Sequence, residues 1–412
     1  MNEGQSVVQL FLICMLSLIA DAQAEDKRYL IYGVNPGEGF NLRRDVYLRI
    51  ANTVRELRQK GNNYTLVLPP WYGLPHWKRS GSRVHKWSEF FDLRSMNRFV
   101  PVVEFEDFAS ENTNQVDSVL YLQHYAEGWD GGNYELKYDL RPCIEAEHYY
   151  ERTKNDQWKS VMASLSTAVF NRLRCLSIQG ESNTLSTAII DLEKDSRSVL
   201  VDRVETILHD HFGDKFYWQA RRSMRYNKQL ISIANSFRKD VLNSDDEKDK
   251  TTLTARWEDQ KPKVGSAIGG NFLCVHWRRR DFVYAHEDDV PSIEGTAQQI
   301  TRLLKEHKLS TVFVSTDAIE NEFRSLNEIL SESGIQVARF RNTSLSDGAA
   351  SIVDQWICSH ARYFIGTHVS TFSYRIHEDR EILGFQPSTT FNSLCADLKK
   401  ECEQPAKWTI TY

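Results

Sequence analysis

The chain predicts an α/β protein of two domains, each built on a parallel sheet. Short apolar runs bounded by polar turns recur along it, and stretches with helical apolar spacing lie between them. That alternation is what strand, crossover and strand units require. Its 412 residues also exceed what one hydrophobic core usually organises.

Residues 1–24 read as a secretory signal, with an apolar stretch at 7–20 followed by the small-residue site Ala22-Gln23-Ala24, although no Lys or Arg precedes it. No later run is apolar for long enough to span a bilayer. The run 29–34 reads as a buried strand. The turn Gly37-Glu38-Gly39-Phe40-Asn41 follows, then a helix with Val46, Ile50, Val54 and Leu57 on one face and Gly61 as its stop. Runs 64–68 and 99–103 are further strands. Residues 149–240 read mostly as helix, including 197–209 and 220–241. The polar run 243–252 is the best linker.

Beyond it the alternation returns. Strands are expected at 272–276, 311–315, 335–340 and 363–366, and helices at 296–307, at 347–360 and from 370. Together these imply Rossmann-like sheets, with domains at 25–245 and 246–412. Such sheets hold ligands at the carboxyl ends of their strands.

The formal net charge of −5 argues against general nucleic-acid binding, which depends on a basic surface. Six of the seven cysteines lie beyond the signal, and an even count on the secretory route suggests disulfides. Cys395 and Cys402 are near neighbours, and Cys143 with Cys175 is the next plausible pair. Cys274 and Cys358 sit in apolar runs as candidate free core thiols. Asn63 and Asn342 open glycosylation sequons.

Four clusters carry chemistry. A glycine-rich turn between strand and helix presents free backbone N–H groups and a positive helix end, which suits a phosphate. Glu38 adds nothing to an anion cradle, so it reads as a general base beside a bound phosphate. His276-Trp277-Arg278-Arg279-Arg280-Asp281-Phe282 follows a strand, where arginine would pair with phosphate oxygens. Ser315-Thr316-Asp317 ends the next strand. Asp354 and Gly366-Thr367-His368-Val369-Ser370-Thr371-Phe372 complete the set. His209-Asp210-His211 is a poor metal site, because three adjacent residues rarely converge on one ion. The acidic run 245–249 reads as solvated, and the aromatics at 71, 72 and 77 as core or cleft wall.

These residues together resemble the protein O-fucosyltransferases, in particular the branch acting on thrombospondin type 1 repeats. The likeness runs over nearly the whole mature chain. It rests on Asn35-Pro36 before the Glu38 loop, on His-x-Arg-Arg-x-Asp-Phe at 276–282, and on Asp354-Gln355-Trp356-Ile357-Cys358 with Ser370-Thr371-Phe372. It implies a GT-B fold, two Rossmann-like domains facing a central cleft. It also implies inverting, metal-independent transfer of fucose from GDP-fucose to a Ser or Thr hydroxyl, with no cofactor. Glu38 would be the base and Arg278 the stabiliser of the leaving diphosphate. Gly37, Glu38, Gly39, Phe40, Asn41, His276, Trp277, Arg278, Asp354, Thr371 and Phe372 would line the donor site. Gly37 departs from the proline expected there, and Trp277 replaces a smaller aliphatic residue.

The expected protein is therefore a monomeric enzyme of the endoplasmic reticulum lumen or Golgi, acting on folded thrombospondin type 1 repeats. Its rivals are a non-catalytic quality-control protein binding such repeats, and a fucosyltransferase acting on EGF-like repeats. An oxidoreductase is the weakest, since the first loop lacks the Gly-x-Gly-x-x-Gly spacing.

Overall fold

The computed structural model describes residues 27–412 apart from 80, 82, 129–133, 162–164, 210, 211, 398 and 400. The signal expected at 1–24, and Asp210 and His211, lie outside the described residues. By packing, the chain divides into two units, both assembled from separate stretches of sequence. One holds residues 27–36, 46–72 and 97–209; the other holds Gly37–Asp45, Gly73–Met96 and residues 212–412.

The first unit contains β1 (Arg28–Tyr32), most of α1 (Phe40–Gln59), β2 (Tyr64–Leu68), β3 (Val102–Glu104), α2 (Phe105–Glu111) and β4 (Gln115–Gln123). It continues through β5 (Lys137–Leu140), β6 (Tyr150–Arg152), β7 (Trp158–Ser160), β8 (Val169–Gln179), α3 (Ser182–Leu192) and β9 (Ser198–Asp202). These nine strands form one sheet in the order β3-β2-β1-β9-β4-β8-β7-β6, with β5 also on β8. From β3 to β8 the neighbours run parallel. β5, β6 and β7 close the far edge antiparallel.

Two expectations fail here. Residues 149–202 hold four strands, β6 to β9, and one helix, α3, and the helix expected over 197–209 is β9 followed by a single 3-10 turn at Val204–Thr206. Val199, Leu200 and Val201 are fully buried. A short strand covered on both faces is apolar throughout and shows no period that would separate it from a buried helix.

The second unit contains α4 (Lys215–Ser223), α5 (Lys228–Leu242), α6 (Asp246–Asp249), β10 (Gly270–Trp277), α7 (Ile293–Glu306) and β11 (Thr311–Thr316). α8 (Glu320–Glu332), β12 (Gln336–Ala338), α9 (Asp347–Ser359), β13 (Ala361–Ile365) and α10 (Thr371–Leu383) complete it. Its sheet runs β12-β11-β10-β13, all parallel. Leu273, Val275, Ile300, Leu304, Val312 and Val314 form its core. The helix expected at 220–241 is two helices, because Asn227 stops the first path and caps α5 by accepting from the Gln229 N–H at 2.8 Å.

The polar run 243–252 is not a solvated linker. Ser244 and Thr251 are buried, Asp245 caps α6 through the Lys248 N–H, and buried Arg238 donates to Asp246 (2.6 Å) and Asp249 (3.0 Å). The acidic charges there are counter-ions for an arginine that lies earlier in the chain. The boundary expected between residues 245 and 246 thus falls within the second unit.

Disulfides join Cys143 to Cys175 and Cys395 to Cys402. Cys274 and Cys358, read from sequence as candidate free thiols, are joined as well. β10 and α9 pack against each other and bring the two Cα atoms to 5.2 Å, within disulfide range. Among the described residues no helix is long and apolar enough to cross a membrane.

Candidate active site

The Glu38 loop ends in the first turn of α1. The Arg43 N–H donates to the Gly39 carbonyl at 3.1 Å, so the helix begins at once after the glycine. Its first N–H groups therefore have no intrahelical acceptor. Arg43 also closes the loop on itself, its Nε donating to the Glu38 carbonyl at 2.9 Å. Phe40 turns its ring away from the loop into a cluster with Trp77, Phe90 and Phe91. It is 5% exposed, so what it offers a ligand is backbone. This segment belongs to the second unit. Asn41 Oδ1 accepts from Gln355 Nε2 at 2.8 Å, and Gln355 follows Asp354 on α9.

In the second unit's sheet, His276, Ser315 and Gly366 stand at or just beyond the carboxyl ends of three adjacent parallel strands. Thr367 ties two of these ends together, donating its hydroxyl to the His276 carbonyl (2.8 Å) and accepting the Arg278 N–H (3.0 Å). Ser373 accepts the Thr367 N–H (3.1 Å) and lies 2.8 Å from His276 Nδ1. The arrangement that gives the Ser373 hydroxyl proton a partner makes Nδ1 the acceptor and leaves the proton on Nε2. Burial, with Arg278 adding to it, pushes the imidazole down to about 3, so it is neutral. Phe372 stacks on it at 4.2 Å. Gly366 has to be glycine, since a Cβ there would lie 2.4 Å from Ser373 Oγ.

The three arginines after β10 all have fixed partners. Arg278 donates from Nη2 to Asp281 at 2.6 Å, and its Nη1 lies 2.9 Å from Asp317 Oδ2. Arg279 gives its N–H to Asp317 and its guanidinium to Glu322 at 2.7 Å. Arg280 donates to the Asp317 carbonyl at 2.6 Å. Asp317 thus anchors the whole basic loop from the end of the neighbouring strand. Asp354 accepts from the Ser315 hydroxyl at 2.8 Å, while its Oδ1 is buried without a hydrogen-bond partner. Burial pushes its carboxyl up to about 7, against the opposing pull of Ser315 and Arg339.

The O-FucT family model, GDP-fucose protein O-fucosyltransferase, matches residues 29–383. The chain belongs to the GDP-fucose protein O-fucosyltransferase family. It is thus a glycosyltransferase. It is 50% identical over 392 residues to "GDP-fucose protein O-fucosyltransferase 2" of Caenorhabditis elegans, covering 94% of this chain and 91% of that one. The human protein of the same name is 45% identical over 404 residues, covering 96% and 92%. The Drosophila melanogaster one is 36% identical over 419 residues, covering 93% and 82%. A crystal structure of POFUT1 in complex with GDP-fucose superposes with a TM-score of 0.58 at 15% identity, over 90% of this chain and 98% of that one. Its likeness fixes the fold, an α/β GT-B architecture with two Rossmann-like units.

The Glu38 loop, His276, Arg278, Asp354, Thr371 and Phe372 all fall in the second unit. One expected residue differs. Trp277 buries its ring wholly among Leu273, Val275 and their neighbours, and its carbonyl accepts from Thr316. Side chains alternate along a strand, so between His276 and Arg278 it points into the core. Sequence reasoning missed Ser373 and Gln355, and read Asp317 without its anchoring role. Nothing in their spacing marks them, and only Gln355 carried a hint, as the neighbour of Asp354 in a quoted motif.

Proposed function

We propose that the chain transfers fucose from GDP-fucose to a Ser or Thr hydroxyl of folded thrombospondin type 1 repeats, with inversion at the anomeric carbon. The observation that carries this reading is that the Glu38 loop packs in the same unit as Arg278 and is bonded to the residue after Asp354. A base and a diphosphate site then belong to one body. The relatives named GDP-fucose protein O-fucosyltransferase 2 supply the donor class. The sequence pattern of the Glu38 loop supplies the acceptor.

An alcohol is a weak nucleophile, and a positioned base contributes about a hundredfold to ten-thousandfold. Glu38 takes the hydroxyl proton as that oxygen bonds to the anomeric carbon. The bond from this carbon to the β-phosphate oxygen breaks, and GDP leaves with the electron pair. Arg278 and the backbone N–H groups at the start of α1 meet the charge growing on the diphosphate. Gly37, Gly39, Phe40 and Asn41 contribute from the loop, His276 through Nε2–H, and Asp354, Thr371 and Phe372 from α9 and α10. With arginine in this role the reaction proceeds without a metal. The same reading makes the protein a monomer of the endoplasmic reticulum lumen or Golgi, glycosylated at Asn63 and Asn342.

The test incubates purified protein with GDP-fucose, a folded thrombospondin repeat and excess EDTA, and scores acceptor mass. One added deoxyhexose, lost in Glu38→Ala and on unfolding the acceptor, is expected. Modification of an EGF-like repeat instead would replace the acceptor. No transfer to either would favour a binding protein.

A further inference from the structure

Behind the Glu38 loop lies a buried polar chain that the mechanism above does not use. Arg44, fully buried, donates from Nη1 to Gln355 Oε1 at 2.6 Å and to Asn41 Oδ1 at 3.2 Å. From Nη2 it donates to the Tyr226 hydroxyl at 2.8 Å, which in turn donates to Asp379 at 2.7 Å. Arg221 holds Asp379 from the other side at 2.6 Å.

The donor chemistry of this chain leaves one arrangement. Arginine has donors only, so both amides must turn oxygen toward Arg44. The group left on Gln355 is its NH2, and that nitrogen lies 2.8 Å from Asn41 Oδ1. The Asn41 oxygen therefore accepts twice, which uses both of its lone pairs. Its NH2 has no partner among the described residues, and it stands in the first turn of α1. An asparagine whose oxygen is captured from behind offers only donors in front.

We infer that Gln355 and Arg44 are positioning residues, which lock the Asn41 amide so that its NH2 faces the diphosphate of the bound nucleotide. The inference rests on the functional reading above. It makes Asn41 a donor whose orientation is set before the ligand arrives, and it links the base loop to the helix that carries Asp354. A carboxylate at position 355 would still accept from Arg44, but could not donate to Asn41. The Asn41 amide would then turn to give its NH2 to the carboxylate, its oxygen would face the ligand, and the anion site would lose its donor.

The experiment measures GDP binding by titration calorimetry and melting temperature for wild type, Gln355→Glu, Asn41→Ala and the double variant. Gln355→Glu should weaken GDP about tenfold, the loss of one well-placed hydrogen bond to a charged group, with no fall in melting temperature. Asn41→Ala should lose a similar factor, and the double variant should be no worse than Asn41→Ala alone. Wild-type GDP affinity in Gln355→Glu would overturn the inference, as would losses that multiply in the double variant. Affinity and melting temperature falling together would also overturn it, by making the role structural. Should Gln355→Glu fail to fold, Asn41→Asp decides: it accepts both bonds but cannot donate. It should bind GDP at least tenfold more weakly, and unchanged binding would sink the idea. Wild-type protein that does not bind GDP at all would instead sink the functional reading.

Discussion

The carboxyl ends of the parallel strands in the two sheets differ in how they hold their charged side chains. In the second unit, Thr367, Ser373 and Asp317 engage one another's neighbours so thoroughly that His276 and all three arginines have fixed partners. In the first unit, both amide atoms of Gln179 at the end of β8 are buried without hydrogen-bond partners, as are Arg203 Nη1 and Nη2 and Glu205 Oε2 just past β9. Arg203 rests on the Tyr149 ring at 4.0 Å, and among the described residues its guanidinium donates only from Nε, to Tyr121 at 3.1 Å. Each buried group left unpaired costs about 1–3 kcal/mol. Sheet type alone does not make a preorganised site; mutual hydrogen bonds do, and among the described residues the second unit holds its histidine and arginines by them, although Asp317 Oδ2, Asp354 Oδ1, Trp277 Nε1 and Arg339 Nη1 have no hydrogen-bond partner.

The largest effect that sharpens this contrast is on catalysis. Arg278→Ala should lower kcat about a thousandfold, typical for losing one stabiliser of developing negative charge, while the urea midpoint stays put. Arg278→Lys should rescue little, since a point charge cannot span Asp281 and Asp317 as the fork does. Full rescue by lysine would show that the fixed geometry is irrelevant. Next comes stability. The Cys274–Cys358 bridge closes a separation of 84 residues, against 32 for Cys143–Cys175 and 7 for Cys395–Cys402. Loop entropy alone assigns these bridges about 4.6, 3.7 and 2.5 kcal/mol. Paired Cys→Ala variants compared by urea unfolding should keep that order, and a reversed order would place other forces above chain entropy.

The smallest effect tests the open end of the first sheet. Burial pushes the Glu205 carboxyl up to about 7, so the folded chain holds a proton there that the unfolded chain releases near 4.5. The native state then binds more protons between those values, and stability falls as pH rises through them. Glu205→Gln keeps an acceptor for the Asn35 N–H and removes the ionisation. It should equal wild type at pH 4 and exceed it by about 1–3 kcal/mol at pH 8, measured by urea titration. A wild-type slope in the variant would mean that Glu205 is charged and paired in solution.

The parallel core of the second unit was legible in the sequence because its strands are apolar runs between polar turns, as at Thr311–Thr316. The first unit's β8 was not, because Asn171 and Arg172 stand exposed beside partly buried Leu173 and Arg174 and blur its period. The turn carrying Glu38 and the strand-end places of His276 and Arg278 could be read, since glycines before a helix and polar residues after an apolar run mark such ends. Ser373, Asp317 and Gln355 act through partners 97, 38 and 314 residues away. Spacing carries no trace of such pairings. The acidic run at 245–249 misled for the same reason, since its cation, Arg238, is recognisable only once buried.

The distance from Asn41 to Gln355 has a consequence for biosynthesis. The loop bearing Glu38 emerges from the ribosome long before the helix that will hold it, 314 residues later. At roughly 5–20 residues per second that interval is about 15–60 s. The nascent chain has strands β1, β2 and β3 early, but its Glu38 loop lacks the Gln355 contact until α9 has been made. Completion of the Asn41–Gln355 contact is therefore among the last events of translation, and a polypeptide truncated before α9 carries the Glu38 loop without the helix that holds it.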